Sequence, residues 1–256
     1  SESVLPWGTH NGREAVQMFF IISGFYMQLI LSGSKYESVW EFYRSRSLRI
    51  FIPYFISLAL VAAASILTGL IFDKWLTLSA TVNQFDESGN AGAGTVFATL
   101  TNGTLFFQDW VMFLKQTPDG WLAFTSNFRN SSNQLWHFLW IPQAWTVGVE
   151  LTFYLTAPFL VRKLSLRALL MVAGVSLVSR LWSYRELGLT EDPWDYRFFP
   201  FELLHFCYGM IGCRLMQYYG STFDRLSEIA TRIENKFGRW YYPILVVAVL
   251  ICLDVH

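Results

Sequence analysis

The chain has 256 residues, of which 53% are hydrophobic and only 15% are charged, and its formal net charge is zero. An ordinary soluble domain carries about 25% charged residues, so this composition argues against a soluble globular protein. The balanced charge gives no reason to expect nucleic acid as a partner. The three cysteines lie in apolar runs, which indicates buried side chains and favours neither a disulfide framework nor a metal site.

Six apolar runs follow one another along the chain, and most approach the length that an α-helix needs to cross a membrane, about 20 residues. They are residues 16–32, 50–72, 139–161, 165–182, 198–218 and 240–255. The sequence therefore predicts an all-α, polytopic transmembrane helix bundle that forms a single domain over residues 1–256. Because the chain begins with Ser1 and not with Met, and stops within an apolar run, we expect it to be a fragment of a longer bundle.

The basic residues predict which connections face the cytoplasm. Lys and Arg collect in residues 33–49, 162–167 and 225–239, and cytoplasmic connections favour these residue types. Placing all three inside makes every span alternate, with both chain ends outside. The large connection at about 73–138 then lies outside, and its partly apolar residues 97–114 could form an interfacial or re-entrant piece.

Glu150 is the most unusual residue in these spans, since it lies about 11 residues from either end of the run 139–161. A charged side chain at the centre of a span costs about 2.5–3.5 kcal/mol on insertion scales, so it should face the bundle interior, a partner or water. A catalytic role would explain it. An interhelical hydrogen bond or ion pair that fixes the bundle would explain it equally well.

Glu202 and His205 lie three residues apart and therefore share one helix face. A glutamate beside a histidine orients the imidazole, which suits a general base or a proton relay. An interhelical polar clamp also explains the pair, and we favour it for these two residues considered alone, because buried polar groups need partners in any case.

Arg46 and Arg49 lie three residues apart at the predicted cytoplasmic end of the second span. Two guanidinium groups on one face form a receptor for phosphate through bidentate, charge-assisted hydrogen bonds. Anchoring of the span by positive charge is the alternative. The sequence contains no Gly-rich phosphate loop, no His/Cys metal cluster and no nucleophile elbow, so we predict no metal and no resident cofactor.

Three segments carry a family resemblance when they are taken in order. They are AVQMFFIISGFYM at residues 15–27, RSRSLRIFIPYF at 44–55 and AWTVGVELTFYLTAPFLV at 144–161. Together they resemble the membrane acyltransferase 3 family, the O-antigen and exopolysaccharide O-acyltransferases. In the third segment Thr146 and Val147 stand where the family usually has Ser-Leu. The resemblance covers about residues 12–162.

The resemblance implies an integral-membrane O-acyltransferase, expected in the bacterial cytoplasmic (inner) membrane. Such an enzyme moves an acyl group, expected to be acetyl, from acyl-CoA to a hydroxyl of a cell-surface or exported carbohydrate. Its partners would be acyl-CoA as the donor substrate, the carbohydrate acceptor and the lipid bilayer. The family's catalytic histidine would lie on a helix that precedes Ser1.

The same resemblance assigns roles to residues of this chain. Arg46 and Arg49 would bind the phosphates of acyl-CoA at the inner face. Glu150 would act in catalysis, within an acceptor cavity shaped by Trp145, Tyr154 and Ser23. From the residues alone, His205 and Glu202 remain weaker catalytic candidates.

Two other functions fit the same residues. A transporter or channel would also bury Glu150, Glu202 and His205 along a pathway, with Ser23 and Gly24 breaking a helix. A non-catalytic homologue could act as a membrane sensor or scaffold. Labelling of sugar that depends on acyl-CoA would favour the enzyme, whereas substrate flux without acyl-CoA would favour transport.

Overall fold

The computed structural model of the chain describes residues 12–33, 35–79, 92–130 and 134–220. These ranges contain six α-helices: α1 (Gly12–Ser32), α2 (Val39–Phe72), α3 (Ala93–Thr104), α4 (Trp145–Lys163), α5 (Leu166–Glu186) and α6 (Phe199–Tyr218). A short antiparallel hairpin pairs β1 (Leu114–Gln116) with β2 (Leu122–Phe124), and 3-10 helices cover Trp110–Phe113, Leu135–Phe138 and Pro142–Ala144. The prediction of an all-α fold is confirmed.

Four helices in these ranges are long and apolar enough to cross a membrane: α1, α2, α5, and α4 together with the 3-10 turn before it. The prediction of a polytopic membrane protein is therefore confirmed. Helix α6 covers the fifth predicted span but is not among the four, and it carries Glu202, His205 and Arg214. The span predicted at 240–255 lies outside the described residues, as does the basic connection 225–239.

Local sequence signals determine where several helices begin and end. The side chain of Ser38 accepts a hydrogen bond from the Glu41 amide at 3.1 Å and so caps the start of α2. Ser165 caps α5 in the same way. At the end of α2, Asp73 adopts a φ of 54° and its amide donates to the Gly69 carbonyl at 3.0 Å. Aspartate visits this left-handed region more readily than most residues, so the helix can end there.

Aromatic rings connect α1, α4 and α6 in the main apolar core. The ring of Phe206 in α6 lies between those of Phe20 in α1 and Phe153 in α4, with centroid distances of 4.7 and 3.9 Å. All three side chains are fully buried. Because aromatic pairs contribute beyond their buried area, this stack is a strong contact among the three helices.

The backbones of α1 and α6 touch directly at two glycines. A Cβ on Gly24 would lie 2.0 Å from the carbonyl oxygen of Phe206, and one on Gly209 would lie 1.9 Å from that of Ile21. Small residues allow this close approach between helices in membranes. The contacts described here all lie within residues 1–211, one of two compact units, and the other unit is described only at the end of α6.

Helix α2 runs antiparallel to α4 along its first half. The Tyr43 hydroxyl donates to the Leu155 carbonyl at 2.8 Å, and the Arg162 guanidinium donates to the Tyr36 carbonyl at 3.3 Å. The second half of α2 exposes large apolar side chains, including those of Leu60, Leu70 and Phe72. Such a surface is typical of a helix that faces lipid.

The connection predicted at 73–138 is folded in its described part. After α3 the chain turns at residues 105–109 and returns along the 3-10 helix Trp110–Phe113. Asn102, near the end of α3, connects this turn to other segments. Its backbone carbonyl accepts a hydrogen bond from the Tyr54 hydroxyl of α2 at 2.7 Å, and its side-chain amide donates to the Phe138 carbonyl at 2.9 Å. Residues 97–114 therefore form a helix and a return that pack against α2.

Residues 125–129 of the same connection are tied to the chain between α5 and α6. The indole N–H of Trp194 donates to the Thr125 carbonyl at 3.3 Å, and Arg129 forms an ion pair with Asp192 at 3.1 Å. The side-chain amide of Asn127 also donates to the Glu191 carboxylate. Two segments far apart in sequence thus form one polar surface beside the start of α4.

Candidate functional site

Glu150 lies in a cluster of hydrogen-bonding side chains at the contact of α1 with α4. Its Oε1 accepts the Ser23 hydroxyl at 2.9 Å and the Tyr154 hydroxyl at 2.5 Å. Tyr154 lies one helical turn further along α4, so both side chains share a face. The described hydrogen bonds go to Oε1 only, which leaves Oε2 for a ligand.

The position of Glu150 within its helix differs from the prediction. Helix α4 begins at Trp145, because the residues before it form the 3-10 turn Pro142–Ala144 and not a continuation of the helix. Glu150 therefore lies in the second turn of α4, nearer its amino-terminal end than the centre. It is 7% exposed, so the predicted orientation towards the protein interior and away from lipid is confirmed.

Arg46 lies deeper in the structure than its predicted place at the end of a span. It is 6% exposed, and its guanidinium lies 5.0 Å from the ring centre of Tyr26 and 5.9 Å from that of Tyr154. Its Nε and Nη2 atoms are buried and have no hydrogen-bond partner in the described part of the chain. Glu150 acts electrostatically on this guanidinium and tyrosine side chains lie beside it, so an anionic ligand at Nε and Nη2 would add to charge compensation that is already present.

Arg49 and Glu150 line one cavity of about 390 Å³ between α2 and α4, which we call the Glu150 cavity. Tyr54, Ser57 and Gln143 supply further polar groups, and the remaining walls are apolar. The volume is within the range of about 300–1,000 Å³ that is usual for small-molecule sites. A cation and a carboxylate thus face the same ligand-sized space.

His205 and Glu202 belong to a different cluster. Glu202 is fully buried, with its Oε1 3.5 Å from Arg180 Nη2 and its Oε2 2.9 Å from His205 Nδ1. Neither contact meets hydrogen-bond geometry, so both are ion-pair contacts. His205 lines a cavity of about 710 Å³ between α1 and α6, together with Glu14 and Gln17. Glu150 does not line that cavity.

Trp145, predicted to line the acceptor cavity with Tyr154 and Ser23, lies apart from those two residues. It lines a smaller cavity of about 160 Å³, which we call the Arg197 cavity, and the Arg197 guanidinium lies 4.2 Å from its ring centre. Gln143 lines both this cavity and the Glu150 cavity. The two cavities therefore adjoin at this residue.

Asp109 is a candidate functional residue that the sequence did not indicate. It is 2% exposed and lies against α4, where a Cβ on Gly148 would be 3.2 Å from its Oδ1. Burial raises the pKa of this carboxyl to about 7, although the amides of Asp109 and Trp110 act in the opposite direction. Nothing in the local sequence marks this position, because the burial comes from the return of residues 105–109 onto the bundle.

A comparison with known families now decides the class of protein. The family model described as an acyltransferase domain, that of the acyltransferase 3 family, matches residues 4–253. The chain belongs to this acyltransferase family. No curated protein and no solved structure matched the chain.

The three motifs of the acyltransferase meet at one site. The first supplies Ser23 from α1, the second supplies Arg46 and Arg49 from α2, and the third supplies Glu150 and Tyr154 from α4. Residues up to 127 positions apart thus converge on the Glu150 cavity and its buried neighbours. The resemblance seen in the sequence and the family match agree.

Proposed function

We propose that the chain is the membrane part of an O-acyltransferase that transfers an acyl group, with acetyl as the simplest case, from acyl-CoA to a hydroxyl of a cell-surface or exported carbohydrate. We further propose that it works in the bacterial cytoplasmic membrane. One observation carries the proposal: Arg49 and Glu150 face the same 390 Å³ cavity, and Arg46 lies beside it over the ring of Tyr154.

The arginines would hold the phosphate groups of the donor. Arg49 lines the cavity, and Arg46 adds a buried guanidinium with two unpaired nitrogens three residues before it. Guanidinium groups bind phosphate through two parallel hydrogen bonds, and such bonds strengthen where water is excluded. An acyl-CoA phosphate in this position would supply an acceptor for the two Arg46 nitrogens that make no hydrogen bond within the described residues.

Glu150 would act at the reacting hydroxyl. In acyl transfer the hydroxyl oxygen attacks the thioester carbonyl carbon, the carbon–sulfur bond breaks, and the hydroxyl proton passes through a base to the departing CoA thiolate. A sugar hydroxyl is a weak nucleophile at neutral pH, so a positioned base accelerates the step by about 10²–10⁴-fold. Glu150 has Oε1 occupied by Ser23 and Tyr154, which supports a role for Oε2 in accepting that proton or in orienting a histidine base.

His205 and Glu202 remain the second candidates for proton handling. Arg180 balances the buried Glu202, and Glu202 in turn faces His205, an arrangement that suits a proton relay. Because His205 and Glu150 line different cavities, the two would act on different groups. We therefore assign the transfer step to Glu150 first.

Glu150→Gln in the full-length protein tests the assignment, since it keeps the size of the side chain and removes the carboxylate. We expect loss of acetyl transfer from labelled acetyl-CoA to exopolysaccharide, measured per folded molecule, with little change in thermal stability. The exposed Glu186 at the end of α5 offers a matched control as Glu186→Gln. Full activity of Glu150→Gln would contradict the catalytic role, and lost activity in His205→Gln alone would move the role to His205.

Replacing Arg46 and Arg49 together by lysine tests the donor site. Lysine keeps the charge and removes the bidentate geometry, so the affinity for acyl-CoA should fall while the protein still inserts normally. Arg44→Lys, at an exposed position on the same helix, is the control. Unchanged acyl-CoA binding in the double variant would indicate that these arginines only anchor the helix.

Carbohydrate flux into vesicles without acyl-CoA would favour a transporter. The absence of both flux and acyl transfer would favour a sensor or scaffold.

A further inference from the structure

The Arg197 cavity is built from three separate parts of the chain. The connection between α2 and α4 contributes Phe128, Arg129 and Trp136, the start of α4 and the turn before it contribute Gln143 and Trp145, and the chain before α6 contributes Arg197. Its volume of about 160 Å³ is below the usual range for drug-sized ligands. The space therefore suits a single small ring and not an extended chain.

Arg197 is held firmly and still has a free donor. It is 5% exposed, and its guanidinium lies 4.2 Å from the ring centre of Trp145 and 4.6 Å from that of Tyr196. Its Nη2 donates to Asp192 Oδ2 at 2.9 Å, and its Nε also donates to this carboxylate. Nη1 is buried without a hydrogen-bond partner in the described ranges, although the side chain lines the cavity.

The polar groups around the cavity favour a ligand rich in oxygen acceptors. Asp192 is shared by Arg197 and Arg129, and the neighbouring Asp195 pairs with Arg13, so the charges near Arg197 are largely balanced and its unpaired N–H is the group left to recognise a ligand. An unpaired buried N–H is stabilised by an oxygen atom, which a sugar hydroxyl, a ring oxygen or a sugar carboxylate can provide. Gln143 adds an amide, and the indole and phenyl walls suit the apolar face of a sugar ring.

The Arg197 cavity also lies next to the Glu150 cavity. Gln143 lines both this cavity and the Glu150 cavity, so a ring bound beside Arg197 lies next to the space that Glu150 and Arg49 line. We propose that the Arg197 cavity is the subsite for the acceptor sugar, with Arg197 and Gln143 binding its oxygen atoms and presenting a hydroxyl towards Glu150. This inference rests on the proposed acyl transfer.

Binding of two simple probes tests the subsite without requiring activity. The full-length protein is titrated with a neutral methyl hexoside and with the matching methyl uronide, and quenching of tryptophan fluorescence is followed. Saturable binding of the hexoside indicates recognition through hydroxyls, and binding of the uronide alone indicates recognition through the carboxylate. Both outcomes support a sugar subsite. No saturable binding of either probe would overturn it.

Variants of the two binding residues link the probes to this cavity. Arg197→Lys keeps the positive charge and removes the bidentate guanidinium geometry. Gln143→Ala changes an exposed residue, so this substitution should not disturb folding. Each should weaken sugar binding and raise the acceptor KM by about tenfold or more, with acyl-CoA affinity unchanged for Arg197→Lys. Arg185→Lys, at an exposed position in α5, is the control.

The outcomes separate the two proposals. If acyl transfer proceeds with an unchanged acceptor KM in both variants, the subsite is wrong and the proposed function stands. If the sugars bind and the variants weaken that binding, but no acyl transfer occurs with any donor, the subsite is supported and the proposed function is wrong. A folded Gln143→Ala keeps the test decisive where Arg197→Lys does not fold.

Discussion

Replacing Gly209 by alanine should force α1 and α6 apart. The added Cβ would lie 1.9 Å from the carbonyl oxygen of Ile21 and 2.5 Å from the amide nitrogen of Phe25. Carbon–oxygen contacts between close-packed helices lie at about 3.3 Å or more, so the backbones must separate by roughly 1.4 Å. Both opposing atoms belong to the backbone, and no side chain can rotate away to relieve the clash.

The loss of stability depends on the contacts that weaken when α1 and α6 move apart. The ring of Phe206 lies 4.7 Å from that of Phe20 across the same interface, and parting the helices weakens this contact. Overpacking costs about 1–3 kcal/mol, and a backbone clash belongs at the upper end. Alanine recovers about 0.8–1.0 kcal/mol of helix propensity over glycine. We therefore expect the free energy of unfolding to fall by about 2 kcal/mol.

Thermal unfolding of the full-length protein in detergent measures this change. For a domain of this size a loss of about 2 kcal/mol lowers Tm by roughly 4–8 °C. Gly174→Ala in α5 is the matched control, because no atom lies within 4 Å of its Cβ position, and its Tm should stay equal or rise. Equal Tm values for the two variants would refute the backbone contact between α1 and α6.

Three further predictions concern single polar groups. Because burial raises the pKa of Asp109 to about 7, the contribution of this carboxyl to stability should be fully present below about pH 4 and be lost as the pH rises from there to about 7; Asp109→Asn should remove this part of the pH dependence in thermal unfolding, and an unchanged pH profile would count against it. Tyr54→Phe removes a buried 2.7 Å hydrogen bond to Asn102 and should cost about 1–3 kcal/mol, measured as a lower Tm. Ser176→Ala removes a 3.1 Å acceptor for the Leu204 amide, whose hydrogen exchange should become faster.

Hydropathy was sufficient to predict α1 and α5, since lipid imposes the same requirement on every span, but it placed the start of α2 at residue 50, eleven residues after the helix begins at Val39. It predicted the start of α4 less well. Residues 139–144 are as apolar as the helix that follows, but they form an irregular segment that ends in the 3-10 turn Pro142–Ala144, and protein contacts such as the bond from the Trp140 amide to Asn102 at 2.9 Å hold their backbone. Apolar character indicates removal from water and does not distinguish a buried turn from a helix.

The sequence predicted individual residues of the site but not the contacts between them. Glu150 and Arg46 stand out because an ion in or beside an apolar run is costly. The bond from Ser23 to Glu150 joins residues 127 positions apart, and only the packing of α1 on α4 creates it. Arg46 was expected at the end of the bundle because basic residues collect there, but α2 begins at Val39 and carries this arginine inside.

The position of Arg197 against Trp145 and Phe128 could not be predicted for the same reason. Its partners Trp145 and Phe128 come from other segments, and the sequence around it resembles an ordinary polar connection. The motifs of the family lie in the first 162 residues, so no resemblance pointed to it either.

The ties between residues 125–129 and the chain before α6 have a kinetic consequence. Arg129 is 61% exposed in its side chain, so its ion pair with Asp192 is accessible to dissolved ions. Salt screens such pairs over about 8–10 Å at ordinary ionic strength. Concentrated salt should therefore loosen the rim of the Arg197 cavity while its buried contacts persist. Ligands would exchange faster there, and their residence time would shorten more than their affinity falls.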